Sequence, residues 1–285
     1  MLGISDPHTG SPRPSRTPAA PPCISRGRPR TQTRPPDSAM TRLWLEFTDP
    51  DLLGRASAAH VGRIARRILD QAPVFRLALS GGSSPLGMFR HLTEPAIFPS
   101  ELWSRTQVFF ADERLVPPNH ADSNFASASH HLLDRVPIPS RNIHRMPGEL
   151  PPEDAALTYT RDLARSFGQN GVPVFDLIVL GMGADGHTAS LFPGAELPGG
   201  RHLVVAPVSA PSMPPRLPRL TLTPAVLDAA RRILFVILGA DKHAALRAIR
   251  DMASDVPAAK VDARSQSWYI CPPLGAGQQP TEQPD

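Results

Sequence analysis

The feature that most restricts what this chain can fold into is an alternation along its length. Short, mainly apolar runs, each ended by glycine, proline or charge, are separated by stretches with helical spacing. The runs are residues 74–79, 108–110, 175–180, 203–208 and 233–238. Runs of that length without polar alternation have the character of strands covered on both faces. Between them, residues 52–69 place Leu52, Leu53, Ala56, Ala59, Ile64 and Ile68 at roughly helical intervals, and 124–133, 152–167 and 242–252 are further predicted helices. Strand–helix alternation predicts an α/β fold with a largely parallel sheet. Ligands of such sheets bind at the carboxyl ends of the strands.

Length and composition bound the rest. A chain of 285 residues, 41% of them hydrophobic, can form one large domain or two small ones around a sizeable core. No segment reaches the ~18 consecutive apolar residues of a membrane-spanning helix. Two widely separated cysteines, Cys23 and Cys271, exclude a disulfide scaffold and a cysteine-rich metal site. The basic excess is local. Residues 1–39 hold Arg13, Arg16, Arg26, Arg28, Arg30 and Arg34 against Asp6 and Asp37, leaving 24 basic and 24 acidic residues elsewhere. No stripe for nucleic acid is therefore expected on the body of the protein.

Residues 1–39 also contain nine prolines and no Phe, Trp or Tyr. Such a stretch buries too little apolar surface to offset its ordering entropy, so it is expected to be disordered. Its prolines would break the amphipathic helix of a transit peptide, and it has no uninterrupted apolar region for secretion. Met40 as the first residue is the competing expectation for this end. The expected organisation is a Pro/Arg-rich extension over 1–39, a catalytic domain over 40–271 and a loose tail over 272–285.

Four segments at predicted strand ends carry the chemistry. In the first, Ser80-Gly81-Gly82-Ser83-Ser84-Pro85, two glycines let the backbone approach an anion closely. Pro85 suits the first helical position there, with Ser84 as its cap. In the second, Ala111-Asp112-Glu113-Arg114, the arginine can fork onto a phosphate or carboxylate, with the acids holding its geometry. The following Asp122, Ser123 and Asn124 suit a turn into a helix cap. In the third, Gly181, Gly183 and Gly186 spell G-x-G-x-x-G after a strand. A dinucleotide site would also want an acidic residue ending the next strand. The next run ends instead in Ala206-Pro207-Val208-Ser209, so the loop reads as a carrier of Asp185 and His187. A neutral imidazole serves as a base near physiological pH. In the fourth, Arg219 follows a proline-rich loop, and Lys242 follows Gly239-Ala240-Asp241. Lys242 and Lys260 are the only lysines of the chain. His130, His131, His144 and His202 lack any such frame and take no role. No metal-ligand spacing and no G-x-S-x-G elbow is present. These residues alone point to a metal-free enzyme without a cofactor that anchors a small phosphorylated molecule and uses histidine as base.

The segments LALSGGSSP (77–85), FFADERLVPPNHADSNF (109–125), FDLIVLGMGADGHTASLFPG (175–194) and RLTLT (219–223) resemble the 6-phosphogluconolactonase family, over about residues 43–270. The resemblance implies a three-layer αβα fold similar to glucosamine-6-phosphate deaminases and ribose-5-phosphate isomerases. It implies hydrolysis of 6-phosphoglucono-1,5-lactone in the oxidative pentose phosphate pathway; a cytoplasmic location and no obligate protein partner are further expectations. In the deaminases the histidine typically precedes a segment carrying a glutamate; here Thr188-Ala189-Ser190-Leu191-Phe192-Pro193 follows His187. Arg114 stands where they usually have tyrosine. Within the family, Ser84 replaces a common threonine, and Cys271 an aspartate near the end of the last strand. The expected roles follow. Gly81, Gly82, Ser83 and Ser84 cradle the phosphate, with Arg114, Arg219 and Lys242 supplying charge. His187 activates water, Asp185 orients the imidazole, amides around Gly183–Gly186 meet the oxyanion, and Asp112 holds either a substrate hydroxyl or Arg114. A glucosamine-6-phosphate deaminase/isomerase-like enzyme is the nearest alternative, and a non-catalytic sugar-phosphate sensor, for which residues 1–39 offer no DNA-binding helix pair, is the other.

Overall fold

The computed structural model describes residues 41–168, 171–194, 205–209, 215–251 and 255–274. The expected extension over 1–39 and tail residues 275–285 lie outside them. Five of the strands are β1 (Thr41–Glu46), β2 (Phe75–Leu79), β3 (Thr106–Phe110), β4 (Asp112–Arg114) and β5 (Ile143–His144). The others are β6 (Leu177–Leu180), β7 (Val205–Val208), β8 (Arg219–Leu222), β9 (Ile233–Leu238) and β10 (Ser265–Cys271). The helices are α1 (Pro50–Leu69), α2 (Leu86–Leu92), α3 (Ser100–Trp103), α4 (Asn124–His131), α5 (Pro152–Phe167), α6 (Pro224–Ala229) and α7 (His243–Arg250).

Seven strands form one parallel sheet in the order β1-β10-β9-β6-β2-β3-β5. With its helices it makes a three-layer α/β architecture. The apolar runs become its centre: all four residues of β6, and five of six in β9, are buried. From β2 the chain builds outward through β3 to β5, then returns to β6 and builds the other way through β9 to β10. The order reverses between β2 and β6, which is where an open parallel sheet leaves a crevice.

α1 forms because Asp49 caps it, accepting from the Asp51 and Leu52 amides, and Pro50 opens it. Its buried Leu53, Ala58, Val61, Ala65 and Leu69 make one apolar face. Gly54 in that face lets α2 approach so closely that a Cβ there would sit 2.7 Å from the Gly87 carbonyl carbon. At the sheet's far end Trp268 stacks on Trp44 and Phe235, with centroids 4.9 and 3.8 Å apart.

Two expectations need correction. The run 203–208 does not join the parallel sheet: its described part, β7, pairs antiparallel with β8, which pairs antiparallel with β4. An apolar run reports burial, not the direction of the partner. Ser84 is also no helix cap. α2 begins at Leu86 after Pro85, and Ser84 Oγ accepts from the Leu238 amide at 3.2 Å, tying the glycine loop to the end of β9.

Candidate active site

Because β9, β6, β2 and β3 are consecutive in the sheet, the segments that follow them are neighbours in space. They open onto a cavity of about 230 Å³. Of the expected site residues, Gly81, Gly82, Ser83, Ser84, Asp112, Arg114, His187, Arg219 and Lys242 line it, and Asp185 supports His187 from behind. Ser80, Met182, Ala189, Phe192 and Pro215 also line it, and the sequence reading assigned them nothing. Phe192 lay inside a recognised motif, but nothing local marks an aromatic ring as site rather than core.

His187 is held by its own loop. Its Nδ1–H donates to Asp185 Oδ1 at 2.6 Å, and its backbone N–H donates to the same oxygen at 3.1 Å. One carboxylate oxygen thus anchors Nδ1 of the ring and the chain beneath it. With the proton on Nδ1, the lone pair lies on Nε2. The loop closes through Gly183 N–H to the His187 carbonyl (2.9 Å) and Gly186 N–H to the Gly183 carbonyl (3.1 Å). Those two amides are therefore engaged, and the expectation that they meet an oxyanion is corrected accordingly. Gly186 has φ +80°, which glycine adopts without cost, and a Cβ there would strike Val256. Past the histidine, buried Thr188 donates to the Gly181 carbonyl at 2.8 Å. Ala189 lies in the left-handed region at φ +47°.

The two arginines face each other. In the β4–β8 ladder Arg114 is the direct partner of Arg219, a placement that costs free energy through like-charge repulsion. Burial and the Arg114 charge both push the Arg219 pKa down. No carboxylate among the described residues lies within salt-bridge distance of either. Arg114 Nη1 donates to the Asp122 carbonyl at 2.6 Å and Arg219 Nη2 to the Pro215 carbonyl at 3.2 Å. Each Nε is buried without a partner. Two guanidinium groups held by neutral carbonyls keep their full charge for an incoming anion. The expectation that Arg219 ends a strand is corrected: it opens β8 and reaches the cavity through the antiparallel pairing.

The acids of the second segment do other work than expected. Asp112 does not hold Arg114: Oδ2 accepts from Ser190 Oγ (2.8 Å) and Oδ1 from Asn124 Nδ2 (3.2 Å). Glu113 is buried at the start of α4, where it accepts from the amides of Arg114, Asn124 and Phe125 and from Ser123 Oγ, all within 3.0 Å. Burial pushes its pKa up against those four hydrogen bonds. Ser123 caps α4 as its sequence position suggests. Gly81 must be glycine, because a Cβ would overlap Asn124 Oδ1. Gly82, at φ +84°, completes the turn. Lys242 ends a short 3₁₀ turn before α7 rather than starting the helix, and its Nζ pairs with Asp241 at the cavity edge.

The arrangement can bind a compact dianion beside a fixed imidazole. A family model described as glucosamine-6-phosphate isomerases/6-phosphogluconolactonase matches residues 48–270. The chain is 42% identical to 6-phosphogluconolactonase of Rattus norvegicus over 232 residues, 79% of this chain and 89% of that one. It is 31% identical to the crystal structure of 6-phosphogluconolactonase from Thermotoga maritima, with TM-score 0.71 over 81% of this chain and 99% of that one. A monomeric glucosamine-6-phosphate deaminase, 19% identical with TM-score 0.65 over 80% of this chain and 97% of that one, shares the fold.

Proposed function

This chain belongs to the glucosamine-6-phosphate isomerase/6-phosphogluconolactonase family, and on that premise we propose that it hydrolyses 6-phosphoglucono-1,5-lactone to 6-phosphogluconate with His187 as general base. The observation that carries the mechanism is the Asp185–His187 contact at 2.6 Å on the wall of a cavity that also holds two opposed arginines. The phosphate dianion sits between Arg114 and Arg219 against the Gly81–Ser84 loop and relieves their repulsion. Lys242 adds charge at the rim. Charge-assisted hydrogen bonds of this kind contribute about 1.5–3 kcal/mol each.

Phosphate held there brings the lactone carbonyl towards His187. Nε2 takes a proton from water as its oxygen bonds to C1, giving a tetrahedral oxyanion and an imidazolium paired with Asp185. The oxyanion collapses, the bond from C1 to the ring oxygen breaks, and the imidazolium returns its proton to that oxygen. The acid formed at C1 ionises to the carboxylate. Asp112, lining the cavity, receives a substrate hydroxyl.

Hydrolysis of freshly generated lactone, corrected for its spontaneous opening, tests the activity, with glucosamine 6-phosphate as the control for deaminase chemistry. His187→Ala should lower kcat by about 10²–10⁴-fold while 6-phosphogluconate still binds. Turnover by that variant at the wild-type rate would remove His187 from the mechanism.

A further inference from the structure

We propose that Phe192 is a positioning residue that couples the base to the anion grip through one ring. Its ring packs against the His187 imidazole with centroids 4.8 Å apart at 43°. The same ring carries the Arg219 guanidinium 5.5 Å from its centroid, within cation–π range. No other side chain among the described residues makes ring contacts with both. This rests on the function proposed above and adds a residue to it.

The choice of ring has a physical reason. Arg219 faces Arg114 across the ladder and needs something to hold it in place. A carboxylate would hold it firmly but would neutralise it and compete with the substrate phosphate. The negative face of an aromatic ring orients a cation while leaving its charge in play. On the histidine side, Asp185 fixes only Nδ1, so the ring plane can still turn about that contact. The Phe192 ring packs against the imidazole and limits that rotation. Phe192 also lines a second cavity of about 560 Å³ beside Leu191, Val256 and Val261, so truncating it would open the reaction site to that space. A bulky aliphatic side chain can fill the wall but cannot provide the π face, which separates the two roles experimentally.

Three variants of the full chain test this. Phe192→Leu should raise KM about three- to tenfold with kcat within about twofold, and should weaken inorganic phosphate binding by a similar factor in calorimetry. Phe192→Ala should show the same loss in phosphate affinity and also lower kcat about tenfold or more. Phe192→Tyr, which restores an aromatic face, should recover both parameters to within about twofold. Phosphate affinity equal to wild type in both Phe192→Leu and Phe192→Ala, or equal losses in Phe192→Tyr, would overturn the proposal. The calorimetric readout needs no turnover. A wild-type chain inactive on lactone would therefore sink the functional reading without deciding the Phe192 question. Should Phe192→Ala fail to fold, the leucine and tyrosine variants still decide it.

Discussion

At the scale of single residues, the site concentrates electrostatic tension where an anion can relieve it. Arg219 is only 5% exposed, its Nε lacks a partner, and another arginine stands opposite. A residue in that position costs stability in the ligand-free protein, a cost that the proposed phosphate would offset. Arg219→Met should therefore raise the stability of the ligand-free protein by about 1 kcal/mol in urea denaturation, while raising KM by about tenfold or more. Loss of both stability and affinity would contradict that account. His187 and Asp185 were legible in sequence, since glycines frame them directly after an apolar run. Their contact was not: a spacing of two residues permits it, and only the turn through Gly186 brings it about.

At the scale of elements, the loop after β6 is a closed unit in which small size matters more than any one hydrogen bond. Gly183 has an ordinary φ, yet a Cβ there would overlap His187 Nδ1 and lie 2.6 Å from Asp185 Oδ1. Gly183→Ala should thus drive the pair apart and lower kcat by about ten- to a hundredfold, with affinity for 6-phosphogluconate nearly unchanged. Equal losses in kcat and product affinity would instead mean that the whole cavity had shifted. Read from sequence, Gly181, Gly183 and Gly186 spell G-x-G-x-x-G, yet without the acidic residue of a dinucleotide site they read as a loop carrying Asp185 and His187. In the fold, two of them make room for the Asp185–His187 pair and for Val256, while the Gly81–Gly82 loop faces the cavity beside Arg114 and Arg219. The G-x-G-x-x-G spacing reports close approach, and what approaches is a matter of tertiary neighbours.

At the scale of the whole molecule, α1 is fastened to the sheet through His60. Arg63 can only donate, so its contact with His60 Nδ1 at 3.2 Å makes that nitrogen an acceptor, and Tyr269 Oη–H donates to it as well at 2.9 Å. The ring is neutral, and burial with the charges of Arg63 and Arg232 depresses its pKa from 6.5 to about 4. A histidine with a lowered folded pKa gives its stability in full above 6.5, and that stability is lost as pH falls from there to about 4. Wild type should lose about 3 kcal/mol more than His60→Gln across that window in denaturant titrations at stepped pH. Parallel curves for the two proteins would refute it. The type of most central elements was written in the chain, because burial on both faces and helical spacing leave local signatures in residue order. β1 was not foreseen, since exposed Leu43 and Leu45 and its charged ends hide an edge strand. The loops' chemistry was also determined locally: the Gly-Gly-Ser turn, the Asp-Glu-Arg end and the glycine-framed histidine. Which strands became neighbours was decided only in three dimensions, as was the antiparallel ladder that sets Arg219 opposite Arg114. Strand pairing depends on contacts between residues a hundred positions apart, and no local pattern records which distant backbone will complete a ladder.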